Sequence, residues 1–145
     1  MTLPRDYNGD NPLHLIARNT SCPIENALRI VDILTRLASN SDDWYWIKNY
    51  AGESCVDVAR TELRKYLKKH GLSSSYWIYG ETCYFYDSGG RIQGDLDISW
   101  NVEIPDTLKE QIKRRVQMVK ILEIVSEHYA YEHGYFEFRN GPEQD

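Results

Sequence analysis

Apolar and polar positions along the chain predict helices first, then strands, then one long helix. Asn11 followed by Pro12 reads as a helix N-cap and first helical residue, starting a short helix from Pro12 to about Arg18. Asn19-Thr20-Ser21-Cys22-Pro23 breaks it, and a second helix is predicted from about 24 to 37. There Ala27, Ile30, Val31, Ile33, Leu34 and Leu37 recur at helical spacing. After a polar loop over 39–43, a further short helix is expected up to Arg60. Another should follow from Thr61 to His70, with Leu63, Tyr66 and Leu67 inward and Gly71 as its C-terminal cap. The pattern then changes period. Tyr76–Tyr79, Cys83–Tyr86 and Ile92–Trp100 are rich in aromatic and alternating residues, as strands are. Asp87-Ser88-Gly89-Gly90 supplies a hairpin turn between the last two. Beyond Pro105, Leu108, Ile112, Val116, Val119, Leu122, Val125 and Tyr129 form one apolar helical stripe, with Thr107 and Glu110 spaced as a capping box. A last strand is predicted over Tyr135–Arg139.

One piece of this grammar occurs twice. Asn8-Gly9 and Ala51-Gly52 are turn signals, each followed by a small polar cap and an apolar helical start, and Gly9 and Gly52 are 43 residues apart. The stretch Gly9, Asn11-Pro12-Leu13-His14 and Ala17, then Gly52, Ser54-Cys55-Val56-Asp57 and Val58-Ala59, resembles two divergent ankyrin repeats over about residues 6–71. The resemblance implies helix-turn-helix units that bind proteins and need a cap on their apolar flank. The expected fold is therefore α+β: two ankyrin-like units over 1–71, capped over 72–145 by a small unit of antiparallel strands plus one long helix.

Composition leaves this picture intact. With 41% hydrophobic and 27% charged residues, the chain is of ordinary globular character, and no apolar run reaches the length of a membrane span. The first residues lack the regions of a signal peptide, and three scattered cysteines (Cys22, Cys55, Cys83) suggest reduced thiols; a cytoplasmic protein is expected. Residues 1–70 carry 10 Lys/Arg and 9 Asp/Glu, whereas residues 71–145 carry 7 and 13. The acidic second half argues against a nucleic-acid partner and suits a basic protein.

Candidate chemistry is sparse. Asp95 and Asp97 share a strand face, and Glu137 lies in a later strand; three converging carboxylates could hold divalent cations. The segment from Leu63 to Trp100 also resembles small nucleotidyltransferases, with Asp95-Leu96-Asp97 at the metal pair. There, however, Glu81 stands where a phosphate-contacting serine belongs, and Cys83–Tyr86 reads as strand where that family has a helix. His14 is expected to bond neighbouring turns, and Lys113-Arg114-Arg115 to form the solvated side of a helix. The stronger signal is aromatic. Trp44-Tyr45-Trp46 with Tyr50, and Tyr76-Trp77, concentrate the residue types that dominate protein interfaces, and rings sealing an internal junction would leave the same trace. The expected function is non-catalytic protein binding through these residues, of the kind an inhibitor, immunity, antitoxin or pathogen factor performs, with no cofactor or metal. The alternative is a divergent metal-dependent nucleotidyltransferase using Asp95, Asp97 and Glu137.

Overall fold

The computed structural model describes residues 5–38, 47–72, 75–79, 82–95, 100 and 103–132, apart from the side chains of 35, 37, 38, 79 and 127–132. The described part of the chain is mixed helix and sheet: four helices and a three-stranded antiparallel sheet. Helix α1 spans Pro12–Arg18. The Asn11 side chain accepts from the Leu13 and His14 backbone amides and caps it. Proline at the first helical position loses no hydrogen bond there. Helix α2, Ile24–Ala38, buries Ala27 and Val31 but leaves Ile30 and Ile33 exposed, so the apolar stripe read from the sequence is wider than the buried one. Leu37 lies on α2 with its side chain outside the description.

Helix α3 runs from Cys55 to Lys69 without interruption. This corrects the expected pair of shorter helices meeting at Arg60-Thr61. The first repeat has Asn19 to Pro23 to break its helix, whereas Arg60-Thr61-Glu62 contains neither proline nor glycine, and every amide can find its i−4 carbonyl. The helix ends where expected: Gly71 adopts φ 72°, and Leu72 N–H returns to the Leu67 carbonyl.

Strands β1 (Ser75–Tyr79), β2 (Thr82–Tyr86) and β3 (Ile92–Asp95) pair in that order. Cys83 and Phe85 are buried between more exposed neighbours, the period-two pattern of a sheet with one covered face. Tyr76 pairs with Phe85 in register, and the Trp100 indole stacks on Phe85 and over Gly94, where a side chain would not fit. The rest of the expected third strand, 96–99, and the expected strand over 135–139 lie outside the described residues.

Helix α4, Asp106–Glu132, buries Ile112, Val116, Val119 and Leu122 as the stripe predicts; the Tyr129 side chain lies outside the description. It begins at Asp106, which places Thr107 inside the first turn instead of at the cap. Lys113-Arg114-Arg115 is not a solvated face. Arg114 is buried and Arg115 half-buried, with its guanidinium 3.8 Å from the Tyr66 ring centre and bonded to the carbonyl and side chain of Gln111. Burial pulls the Arg115 pKa below the usual arginine range.

The described residues divide into two compact units, 5–60 with 117–132, and 61–116. Expectation placed a single boundary after residue 71. In the first unit Leu13, Ile16, Ala17, Ala27, Val31, Val56, Val58, Val119 and Leu122 are buried, and Arg60 is buried against Glu123 with Nη2–Oε1 at 2.6 Å. In the second unit the buried residues are Leu63, Leu67, Tyr76, Cys83, Phe85, Ile112 and Val116.

Candidate interaction surface

The first unit presents two turns of the same form. In the first, Asp6 N–H donates to Asp10 O, Gly9 N–H donates to Asp6 O, and one Asp6 carboxylate oxygen accepts from Asn8 and Asp10 N–H. Shifted by 43 residues, Asn49 N–H donates to Glu53 O, Gly52 N–H donates to Asn49 O, and Asn49 Oδ1 accepts from Ala51 and Glu53 N–H. Gly9 and Gly52 take φ of 78° and 80°, the left-handed value a side chain resists. The caps that follow also correspond. Asn11 N–H donates to His14 Nδ1 and its side chain caps α1, whereas Ser54 N–H donates to an Asp57 carboxylate oxygen and its hydroxyl accepts from Asp57 N–H. The turn at Asp87–Arg91 in the second unit repeats the turn bonds but leads into strand β3, so the turn together with its helix cap defines the repeat.

The two turns are fastened side by side. Tyr50 N–H donates to Asn8 O at 3.0 Å, and Arg5 donates from Nε to Gly9 O and from Nη2 to Lys48 O. The Tyr50 ring lies across Gly9, where an added Cβ would come within 2.8 Å of it, and the Arg5 guanidinium stands 5.5 Å from the ring centre. Beneath the turns runs a buried polar layer. Asp10 is held by Arg18 Nε at 2.8 Å and by the Asn49 amide at 2.9 Å, and the hydrogen bond from Arg18 keeps its carboxyl below the usual carboxylate range. His14 accepts at Nδ1, so its proton sits on Nε2 and is donated to Glu53 O at 2.8 Å. Burial lowers the His14 pKa and favours that neutral form.

Above this layer two tyrosines stand in solvent. Tyr7 is 89% exposed and Tyr50 is 73% exposed, at the same position of successive turns. Tyr50 was expected in the interface set; Tyr7 was not. A lone tyrosine in a turn carries no local signal, but the 43-residue offset that pairs Gly9 with Gly52 also pairs Tyr7 with Tyr50. Of the other expected residues, Trp44, Tyr45 and Trp46 lie outside the described residues. Tyr76, expected in the interface set, is 0% exposed, its ring packed near Phe85 and Arg64 in the core of the sheet. Trp77 is half-buried on β1.

The alternative carboxylate set is not brought together among the described residues. Asp95 is half-buried at the end of β3, while Asp97 and Glu137 lie outside. No group of three metal-ligating side chains occurs among the described residues. Residues 82–86 form strand β2. Burial pushes the Cys55 thiol up to about 12, far from a reactive thiolate. No helix of the described residues is long and apolar enough to cross a membrane. No family model, no curated protein and no solved structure matches this chain.

Proposed function

We propose that this protein is a non-catalytic protein-binding module, and that the paired turns bearing Tyr7 and Tyr50 are its recognition surface. One observation carries the reading: two large rings stand in solvent at equivalent positions, on backbone turns that side-chain hydrogen bonds hold rigid. Tyrosine buries much area at little rotamer cost, and a fixed turn spends little entropy on binding. A module of this kind acts by occupying a surface of its partner, as an inhibitor or effector protein does. An ankyrin-type origin accords with the 43-residue recurrence of turn and helix cap, and the continuous α3 is a departure from that pattern.

The test is affinity purification from the source organism followed by mass spectrometry, with wild type and a Tyr7→Ala/Tyr50→Ala variant side by side. A stoichiometric protein recovered by wild type and lost by the variant, with thermal stability of the variant within a few degrees, supports the reading. Equal recovery by both proteins removes the turns from the interface.

A further inference from the structure

The two turns are complementary to each other, and among the described residues each leaves one half of that complementarity unused. Turn one uses its acceptor side: Asn8 O accepts from Tyr50 N–H, and Gly9 lies under the Tyr50 ring. Among the described residues its donor side is idle. Among the described residues nothing accepts from Tyr7 N–H, and the Tyr7 ring is almost wholly in solvent. Turn two uses its donor side, and among the described residues its acceptor side is idle. Ala51 O, the counterpart of Asn8 O, accepts from none of the described residues, and none of them comes within 4 Å of a Cβ built on Gly52, the counterpart of Gly9. Lys48, the counterpart of Arg5, is exposed.

We infer that the outer side of the second turn is a socket for a tyrosine-bearing turn of the same form, and that a second copy of this chain supplies it through Tyr7. In the contact, the incoming Tyr7 N–H donates to Ala51 O and its ring lies flat on Gly52. The Lys48 ammonium takes the place over the ring that Arg5 holds over Tyr50. The occupant follows from the chain's own example. The Tyr50–Gly9 contact shows what this backbone accepts: a bare glycine surface, one carbonyl and one cation beside a tyrosine that leads a rigid turn. Because plug and socket are different surfaces, the association is head-to-tail and does not close on itself at two copies. The inference rests on the reading of these turns as a protein-binding surface, and it names one partner for them.

Sedimentation equilibrium of the full chain, up to about 1 mM to reach the weak end of specific association, tests it with two variants. Tyr7→Ala removes the plug, and its residue is too exposed in the monomer to support the fold. Gly52→Asn fills the socket with a residue that tolerates positive φ. Wild type is expected to gain mass steadily with concentration. Each variant alone is expected to lose at least about tenfold in association constant. An equimolar mixture should form a 1:1 dimer that stops growing, since one variant keeps the socket and the other the plug. A wild type that remains monomeric throughout overturns the inference, as does a Tyr7→Ala chain that assembles like wild type. If Gly52→Asn fails to fold, Tyr7→Ala still decides between the two. A monomeric wild type that nonetheless captures a different protein through Tyr7 and Tyr50 refutes self-association and leaves the binding function standing. Tyr7-dependent self-association with partner capture unchanged in the double tyrosine variant supports self-association and removes the turns from the other partner's interface.

Discussion

At the scale of single residues, the first unit turns on a histidine that must stay neutral. His14 accepts a backbone N–H at Nδ1 and donates from Nε2 across to the Glu53 carbonyl, so a second ring proton would set two N–H groups against each other. Burial places its folded pKa below the unfolded value of about 6.5. The unfolded chain therefore takes up the proton first, and stability is full above about pH 6.5 and falls as pH drops through that value. Urea unfolding at pH 7.5 and 5.5 should show the loss, and a His14→Asn variant should lack it. A variant with the same acid loss assigns it to another group. Asp10, held down by Arg18, adds a separate decline at pH below its ordinary value near 3.8. Two glycines give a second comparison. Gly52→Ala meets only the left-handed backbone, a cost of about 1–2 kcal/mol. Gly9→Ala meets the same backbone and the Tyr50 ring as well, adding about 1–3 kcal/mol of overpacking. Chemical denaturation of the two variants should rank Gly9→Ala the more destabilised, and the reverse order would place the Tyr50 ring elsewhere.

At the scale of elements, the continuity of α3 is the finding most open to direct challenge. A proline at position 61 lies in the middle of this 15-residue helix, where it removes an i−4 hydrogen bond and clashes with the preceding turn, at about 3 kcal/mol or more. Thr61→Pro should therefore lower the unfolding midpoint steeply. A mild effect would mean that the helix breaks there, as a helix-turn-helix repeat would have it. The start of α1, the strands and the Gly71 cap were legible in the sequence because each rests on a local rule: Asn11-Pro12, alternating aromatics, a glycine after the last apolar position. The continuity of α3 was not legible, since residues 49–60 share the turn and cap pattern of 6–17 while the breaker at 19–23 has no counterpart. Nor was the burial of Arg114 and Arg115. A basic triplet looks solvated in one dimension, and only the Tyr66 ring and the Gln111 carbonyl and side chain explain where Arg115 goes. Ile30 and Ile33 failed in the opposite sense, apolar by pattern yet exposed on α2.

At the scale of the whole molecule, the candidate surface was half visible. Tyr50 was picked out by its aromatic neighbourhood and Tyr7 was not, because the signal for Tyr7 is a correspondence across 43 residues and becomes persuasive once both turns are seen to make the same hydrogen bonds. Tyr76 shows the limit of reading interfaces from aromatic content, since a core and a hot spot draw on the same residue types. What distinguishes the two tyrosines is exposure on turns that side-chain hydrogen bonds close. On the proposed function, a protein docks on Tyr7. Incorporating a photo-crosslinking amino acid in place of Tyr7, with the same group at exposed Glu110 of the other unit as control, reads this out directly. A discrete cross-linked protein, the second copy or another partner, is expected from position 7 and none from position 110. Irradiation that leaves position 7 uncoupled, or that couples both positions to the same background, would contradict it.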